Sequence, residues 1–196
     1  EKLKIVTHHW GTNKNKGYEI YEYIDDLISS EPWKDMIEFT FIGNLPKNYN
    51  FRNSNIVRPL YGSELGDELK KNHLYITGSL FEPSGNHHIE AGQCGLPILY
   101  IKSGGTSEYC DNFGIPYSIN NLKEKIILFM ENSSQYYENM KTYSNDSKVM
   151  SGEFLNLFNF YMKEKKEIVN KRTIEDINIV KKLYLILKLK FRNLFK

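Results

Sequence analysis

Glu82 and Glu90, with seven residues between them, bracket the stretch of this chain best suited to chemistry. Between them, Ser84 and Gly85 lead into a helix that opens on Asn86-His87-His88. Backbone N–H groups at a helix start, together with the helix dipole, attract an anion such as phosphate. Carboxylates repel phosphate, but they accept hydrogen bonds from sugar hydroxyls. An anion site with Glu82 before it and Glu90 inside the helix therefore suits a nucleoside diphosphate that bears a second sugar. An earlier loop, 9–17, offers Lys14 and Lys16 just before Gly17, and either lysine could reach a phosphate on the same sheet edge.

Other reactive side chains have plainer explanations. His87 and His88 point about 100° apart on a helix and have no Cys or acidic partner at ligand spacing, so no metal is expected. His8 and His9 alternate along a strand, so only one is expected to enter a cleft. Trp10 is read as packing and Cys94 as core, since a catalytic thiol lacks a suited neighbour.

Strand and helix patterns alternate through the region that must position these groups. Strands are expected at 4–8, 38–43, 55–58, 74–77, 98–101 and 116–119. Helices are expected at 18–28, from a Ser63 cap through Leu69, and at 86–94. Beyond Asn120 the pattern is helical only, at 122–130, 135–143, 153–163 and from 174 onward. The fold class is thus α/β, a Rossmann-like doubly wound parallel sheet with extra C-terminal helices. In such a sheet ligands bind at the carboxyl ends of the strands, where both candidate loops lie.

Glu82 and Glu90, then Ala91 and Gly95-Leu96-Pro97-Ile98, resemble the paired-glutamate signature of retaining GT-B glycosyltransferases, in particular glycosyltransferase family 4. Lys16-Gly17, Gly43 and Gly104-Gly105 with Glu108 follow in that family's order, and the resemblance runs over 4–160. It implies the carboxy-terminal, donor-binding half of a two-domain enzyme, with residues 1–165 binding the nucleotide sugar and 166–196 forming a tail. It further implies that Glu82 serves catalysis by holding donor-sugar hydroxyls, that Glu90 holds the ribose, and that Lys16, beside Gly17, pairs with the diphosphate. Backbone at Gly85, Asn86 and His87 would cradle phosphate or sugar, and the segment 57–60, including Arg58, would face the base. The family places an arginine five residues before the lysine, where this chain has Gly11, which leaves Lys14 as the substitute. The implied reaction is hexose transfer, with retention, from a nucleoside-diphosphate sugar to a glycan or lipid-linked acceptor. No metal or other cofactor is implied, and the acceptor-binding half is expected to lie outside this segment. The alternatives are a non-catalytic α/β nucleotide-binding or regulatory module and a GT-B sugar-nucleotide epimerase.

Composition fits this reading. With 196 residues, 40% hydrophobic and 26% charged, the chain is neither a disordered tail nor a disulfide mini-protein. No apolar run reaches the ~18 residues of a membrane-spanning helix. The two cysteines suit a reducing cytoplasm, and the opening Glu1-Lys2-Leu3-Lys4-Ile5 reads as part of something longer. Charge is uneven: residues 177–196 carry six Lys or Arg and no Asp or Glu. That apolar, basic segment is expected to meet an anionic membrane surface on the cytoplasmic face, or to pack on a partner. Nucleic acid is not an expected partner.

Overall fold

A computed structural model describes residues 1–171 and Leu183. The expectations for a helix from 174 onward and for the basic segment 177–196 lie outside the described residues, Leu183 apart.

Six parallel strands form one sheet: β1 (Leu3–His9), β2 (Ile37–Gly43), β3 (Asn55–Val57), β4 (Leu74–Thr77), β5 (Ile98–Tyr100) and β6 (Gly114–Pro116). The helices are α1 (Tyr18–Leu27), α2 (Trp33–Met36), α3 (Gly62–Leu69), α4 (Asn86–Gln93), α5 (Thr106–Cys110), α6 (Leu122–Met140), α7 (Ser147–Lys163) and α8 (Lys165–Lys171). Strand order is β3-β2-β1-β4-β5-β6. The sheet grows outward from β1 in one direction, and the chain then returns to lay β4 on the other side of β1. The loops leaving β1 and β4 therefore part company, and a crevice opens between them.

Both faces of the sheet are covered, so its strands read as continuous apolar runs. Ile5, Phe39, Phe41, Ile76 and Leu99 pack with Tyr21 and Ile24 of α1 and with Leu122, Ile126 and Phe129 of α6. Val6, Ile42, Tyr75, Ile98 and Tyr100 pack on the opposite face with Leu65 and Leu69 of α3 and Ala91 of α4. The chain divides into a compact unit Glu1–Val149 and a second unit beginning at Met150. In the second unit, Phe154, Leu155, Phe158, Tyr161 and Met162 are exposed. Among the described residues no helix is long and apolar enough to cross a membrane.

Several boundaries differ from the sequence pattern. The last strand lies at Gly114–Pro116 and not at 116–119. Gly114 comes so close to β5 that a Cβ there would stand 1.9 Å from the Ile98 carbonyl oxygen, so a turn-like glycine is part of the ladder. Helix α3 starts at Gly62 after Tyr61, and Ser63 is not its cap. The two helices expected at 122–130 and 135–143 are one helix, α6, kinked at Asn132. There the Asn132 side-chain amide donates to the Leu128 carbonyl (2.9 Å), one turn back.

The Asn-rich stretch 44–55 carries no pattern of its own, and a buried carboxylate on α1 anchors its end. Asp25 accepts backbone N–H groups of Arg52 (2.8 Å) and Asn53 (2.9 Å) and the Ser54 hydroxyl (2.5 Å). Burial pushes this carboxyl up, but the donors outweigh it and hold it below its ordinary value. Asp25→Ala leaves those donors unmet and is expected to cost about 2–4 kcal/mol. Urea unfolding checks it, and a midpoint matching the wild type would show the anchor to be dispensable.

Candidate functional site

A cleft of about 390 Å³ lies over the carboxyl ends of β1 and β4, at the crevice between them. It is lined from one side by His8, His9, Trp10, Gly11 and Lys16, and from the other by Glu82, Ser84, Asn86, His87 and Glu90. Tyr61, Gly62 and Leu65, at the start of α3, complete the wall.

Each carboxylate is tied to the β1 side of the crevice. The Lys16 ammonium donates to Glu82 Oε2 at 2.6 Å, with both side chains largely buried. His8 Nε2 lies 2.8 Å from Glu90 Oε2. Backbone contacts hold these pairs in place. The Leu80 N–H donates to the Asn15 carbonyl at 2.7 Å, and Gly17 packs directly on Gly78. Glu82 is also clamped from the loop after β5, where the Gly105 N–H donates to its carbonyl at 2.8 Å. A Cβ on Gly104 would meet that carbonyl oxygen at 2.4 Å. The Gly104-Gly105 pair thus has a physical task, the close approach of one loop to Glu82.

Buried histidines cluster at the cleft: His8, His9 and His87 line it, and His88 packs behind them on His87. The rings of His87 and His88 are 4.0 Å apart and those of His9 and His87 4.9 Å apart. His87 Nε2 meets Thr77 Oγ1 (3.1 Å), and His9 Nε2 meets the Tyr21 hydroxyl (2.6 Å), which also accepts the Gly78 N–H (2.9 Å). Burial lowers the pKa of all four, that of His88 to about 4. In His8 the Glu90 carboxylate opposes the shift without cancelling it. The histidines are therefore neutral at pH 7, and the charges lining the cleft are Lys16, Glu82 and Glu90. Among the described residues no group of three or more His, Cys, Asp or Glu could hold a metal ion.

Lys16, Glu82, Asn86, His87 and Glu90 come together in the cleft. Gly85 sits directly behind them as the residue before α4, and Gly17, in a left-handed conformation (φ 74°), ends the 3-10 turn that presents Lys16. Of the two lysines, Lys16 lines the cleft, while Lys14 is exposed and not part of the lining. Arg58 is not in the lining either; its exposed guanidinium turns to Glu64 at 3.2 Å. The first turn of α4 offers fewer free amides than its sequence implies, because the His88 N–H already donates to the Gly85 carbonyl (3.0 Å). Both His8 and His9 line the cleft, against the expectation of one. Strand alternation sorts side chains between the two faces of a sheet, but this cleft lies across the strand's end and receives both. Trp10 packs edge-on against His8 (4.9 Å) and Tyr61 (5.6 Å) and also forms cleft wall. Cys94 is half-buried beside α3, and Cys110 is the fully buried thiol.

Residues 33–147 match a family model described as glycosyl transferases group 1. That span includes both glutamates and begins after β1 and Lys16. No curated protein matches in sequence. Among solved structures, a point mutant of S. aureus TarM in complex with fondaparinux, alpha-GlcNAc-glycerol and UDP is 19% identical with a TM-score of 0.57. That match covers 81% of this chain and 36% of the TarM chain. Sucrose-phosphate synthase from Thermosynechococcus elongatus is 15% identical with a TM-score of 0.60, covering 81% of this chain and 46% of its own. The catalytic domain of cholesterol-alpha-glucosyltransferase from Helicobacter pylori is 19% identical with a TM-score of 0.57, covering 73% of this chain and 95% of its own. At these identities the likeness is one of fold. This chain spans less than half the length of the first two.

Proposed function

Because this chain belongs to the glycosyl transferases group 1 family, we propose that it is the donor-binding half of a retaining hexosyltransferase. The donor is a nucleoside-diphosphate sugar, and the acceptor is a glycan or a lipid-linked saccharide on the cytoplasmic side of a membrane. One observation carries the reading: Glu82 and Glu90 enter a single cleft at the switch point of the sheet, each held by a residue from the β1 side. The UDP in the TarM structure supports a nucleotide donor.

Roles follow from the chemistry of each group. The α4 start and Lys16 supply positive potential where the diphosphate leaves with increasing negative charge. Glu82 accepts hydroxyls of the donor sugar, and Glu90 accepts those of the ribose. Lys16, paired with Glu82, offsets the repulsion between that carboxylate and a diphosphate, since an ammonium has three donors to share. Isothermal titration with UDP, GDP, ADP and their sugars tests the proposal; no binding of any at millimolar concentration would sink it.

The two glutamates are separable. Glu90→Gln is expected to weaken bare nucleotide and nucleotide sugar alike, by about 1.5–3 kcal/mol for a lost charged acceptor. Glu82→Gln is expected to weaken only the sugar-bearing donor. It also releases Lys16 from its 2.6 Å ion pair, so affinity for bare nucleotide is held or raised. Equal losses for both ligands in both variants would overturn these assignments.

A further inference from the structure

We propose that His8 is the positioning residue for Glu90, and that through this carboxylate it sets a preference for ribonucleotides over nucleotides lacking ribose hydroxyls. The inference rests on the function proposed above and assigns a role that no donor contact of His8 itself requires.

The two partners contrast in freedom. Glu90 is about half exposed (49%), on the second turn of a short helix, while the His8 side chain has no exposed surface (0%). A half-exposed carboxylate is thus fastened at 2.8 Å to a fully buried ring. Trp10 (4.9 Å) and Tyr75 (5.4 Å) both pack edge-on against the imidazole, and Tyr75 also meets the His8 backbone N–H through its hydroxyl (3.4 Å). These neighbours leave the ring no second orientation at small cost.

The tautomer is fixed as well. Nδ1 of His8 is buried and has no hydrogen-bond partner. A proton on Nδ1 would bury an unmet N–H and leave Nε2 with nothing to donate to the carboxylate. A proton on Nε2 leaves only a lone pair unmet and gives Glu90 its donor. Burial keeps the ring neutral near pH 7. A neutral donor orients a carboxylate without cancelling its charge. Glu90 therefore keeps its strength as an acceptor, with Oε1 and the remaining lone pair of Oε2 available for hydroxyls. Without His8 the glutamate would sample several rotamers, and ordering it would oppose ribose binding.

The test is titration of the full chain with UDP, GDP and ADP, each against its 2′,3′-dideoxy counterpart. The wild type is expected to favour the ribose form by roughly tenfold or more, as charged hydrogen bonds of this kind imply. His8→Asn places its amide near the Nδ1 position, short of Glu90, and His8→Leu has no donor. Each is expected to cut the preference to about threefold or less, with dideoxy binding changed by less than about twofold. His8→Gln brings an amide N–H close to the position of Nε2–H and is expected to restore most of the preference. Melting temperatures identify folded variants; if the Leu variant does not fold, the contrast between Gln and Asn carries the test. Equal losses for ribo and dideoxy ligands, or an undiminished preference in a folded Asn or Leu variant, would overturn the proposal. A wild type that binds diphosphates without ribose preference overturns this inference and the ribose role of Glu90, and leaves diphosphate binding in the cleft standing. One that binds none of them removes the proposed function and this inference together.

Discussion

Acidification from pH 7.5 to pH 5 is expected to lower the melting temperature of the Glu1–Val149 unit sharply, starting at the buried histidines. His8, His9, His87 and His88 all have folded pKa values below the ordinary 6.5, chiefly because burial disfavours the charged ring. Neighbouring histidines and Lys16 add to this in His9 and His87. The unfolded chain therefore binds more protons than the folded one below pH 6.5. Stability is full above that pH and is lost as the pH falls toward the folded values, about 4 for His88. His88, with its folded value of about 4, contributes up to about 1.4 kcal/mol per pH unit, so about 2 kcal/mol at pH 5. His8, His9 and His87 act in the same direction, against a whole-domain stability of only roughly 5–15 kcal/mol. Asp25 works in a different window: its depressed carboxyl gives stability that is lost only below the ordinary carboxylate range. Melting curves at pH 7.5, 6 and 5 check this, with His87→Gln as the variant expected to flatten the slope. A melting temperature indifferent to pH over that range would show that the cluster takes up protons without cost.

How much of this was legible in the sequence depends on the range of each interaction. The alternating elements and the two glutamates were legible, because apolar periodicity and a fixed spacing on one helix start are local properties. Lys16 was legible as one of two lysines. The choice between them comes from the 3-10 turn that ends at Gly17 and leaves Lys14 exposed. The pairing of His8 with Glu90 spans 82 positions, and no local pattern encodes it. The same holds for the clamp on Glu82 by Gly104 and Gly105, a pair that the sequence offered only by its place in the family's order. Tyr61 and Leu65 became cleft wall through the position of α3, whereas Arg58, one strand end away, turned to Glu64 instead. Helices α2 and α5, at four and five residues, are too short to show a period.

Gly17→Ala is expected to destabilise the domain by about 3–5 kcal/mol, combining left-handed strain with overpacking against backbone. Gly17 has φ 74°, and a Cβ there would stand 2.1 Å from the Gly78 carbonyl oxygen and 2.4 Å from its carbon. Both atoms are backbone, so no side chain can swing aside to make room. Gly78 is itself held by the Tyr21 hydroxyl, which fixes the β4 loop against α1. The methyl must therefore push the loops after β1 and β4 apart. Those loops carry Lys16 and Glu82, and their 2.6 Å ion pair is the first contact to open. Gly95→Ala provides the control: φ is 80° there, but nothing lies within 4 Å of the added carbon. It bears the conformational strain alone, about 1 kcal/mol. Urea unfolding of both variants, with titration of UDP, GDP and ADP into each, separates strain from collision. The Gly17 variant is expected to lose both stability and diphosphate affinity, and the Gly95 variant only a little stability. Equal midpoints would mean that the two loops tolerate separation, and that the glycine contact does not bring Lys16 to Glu82.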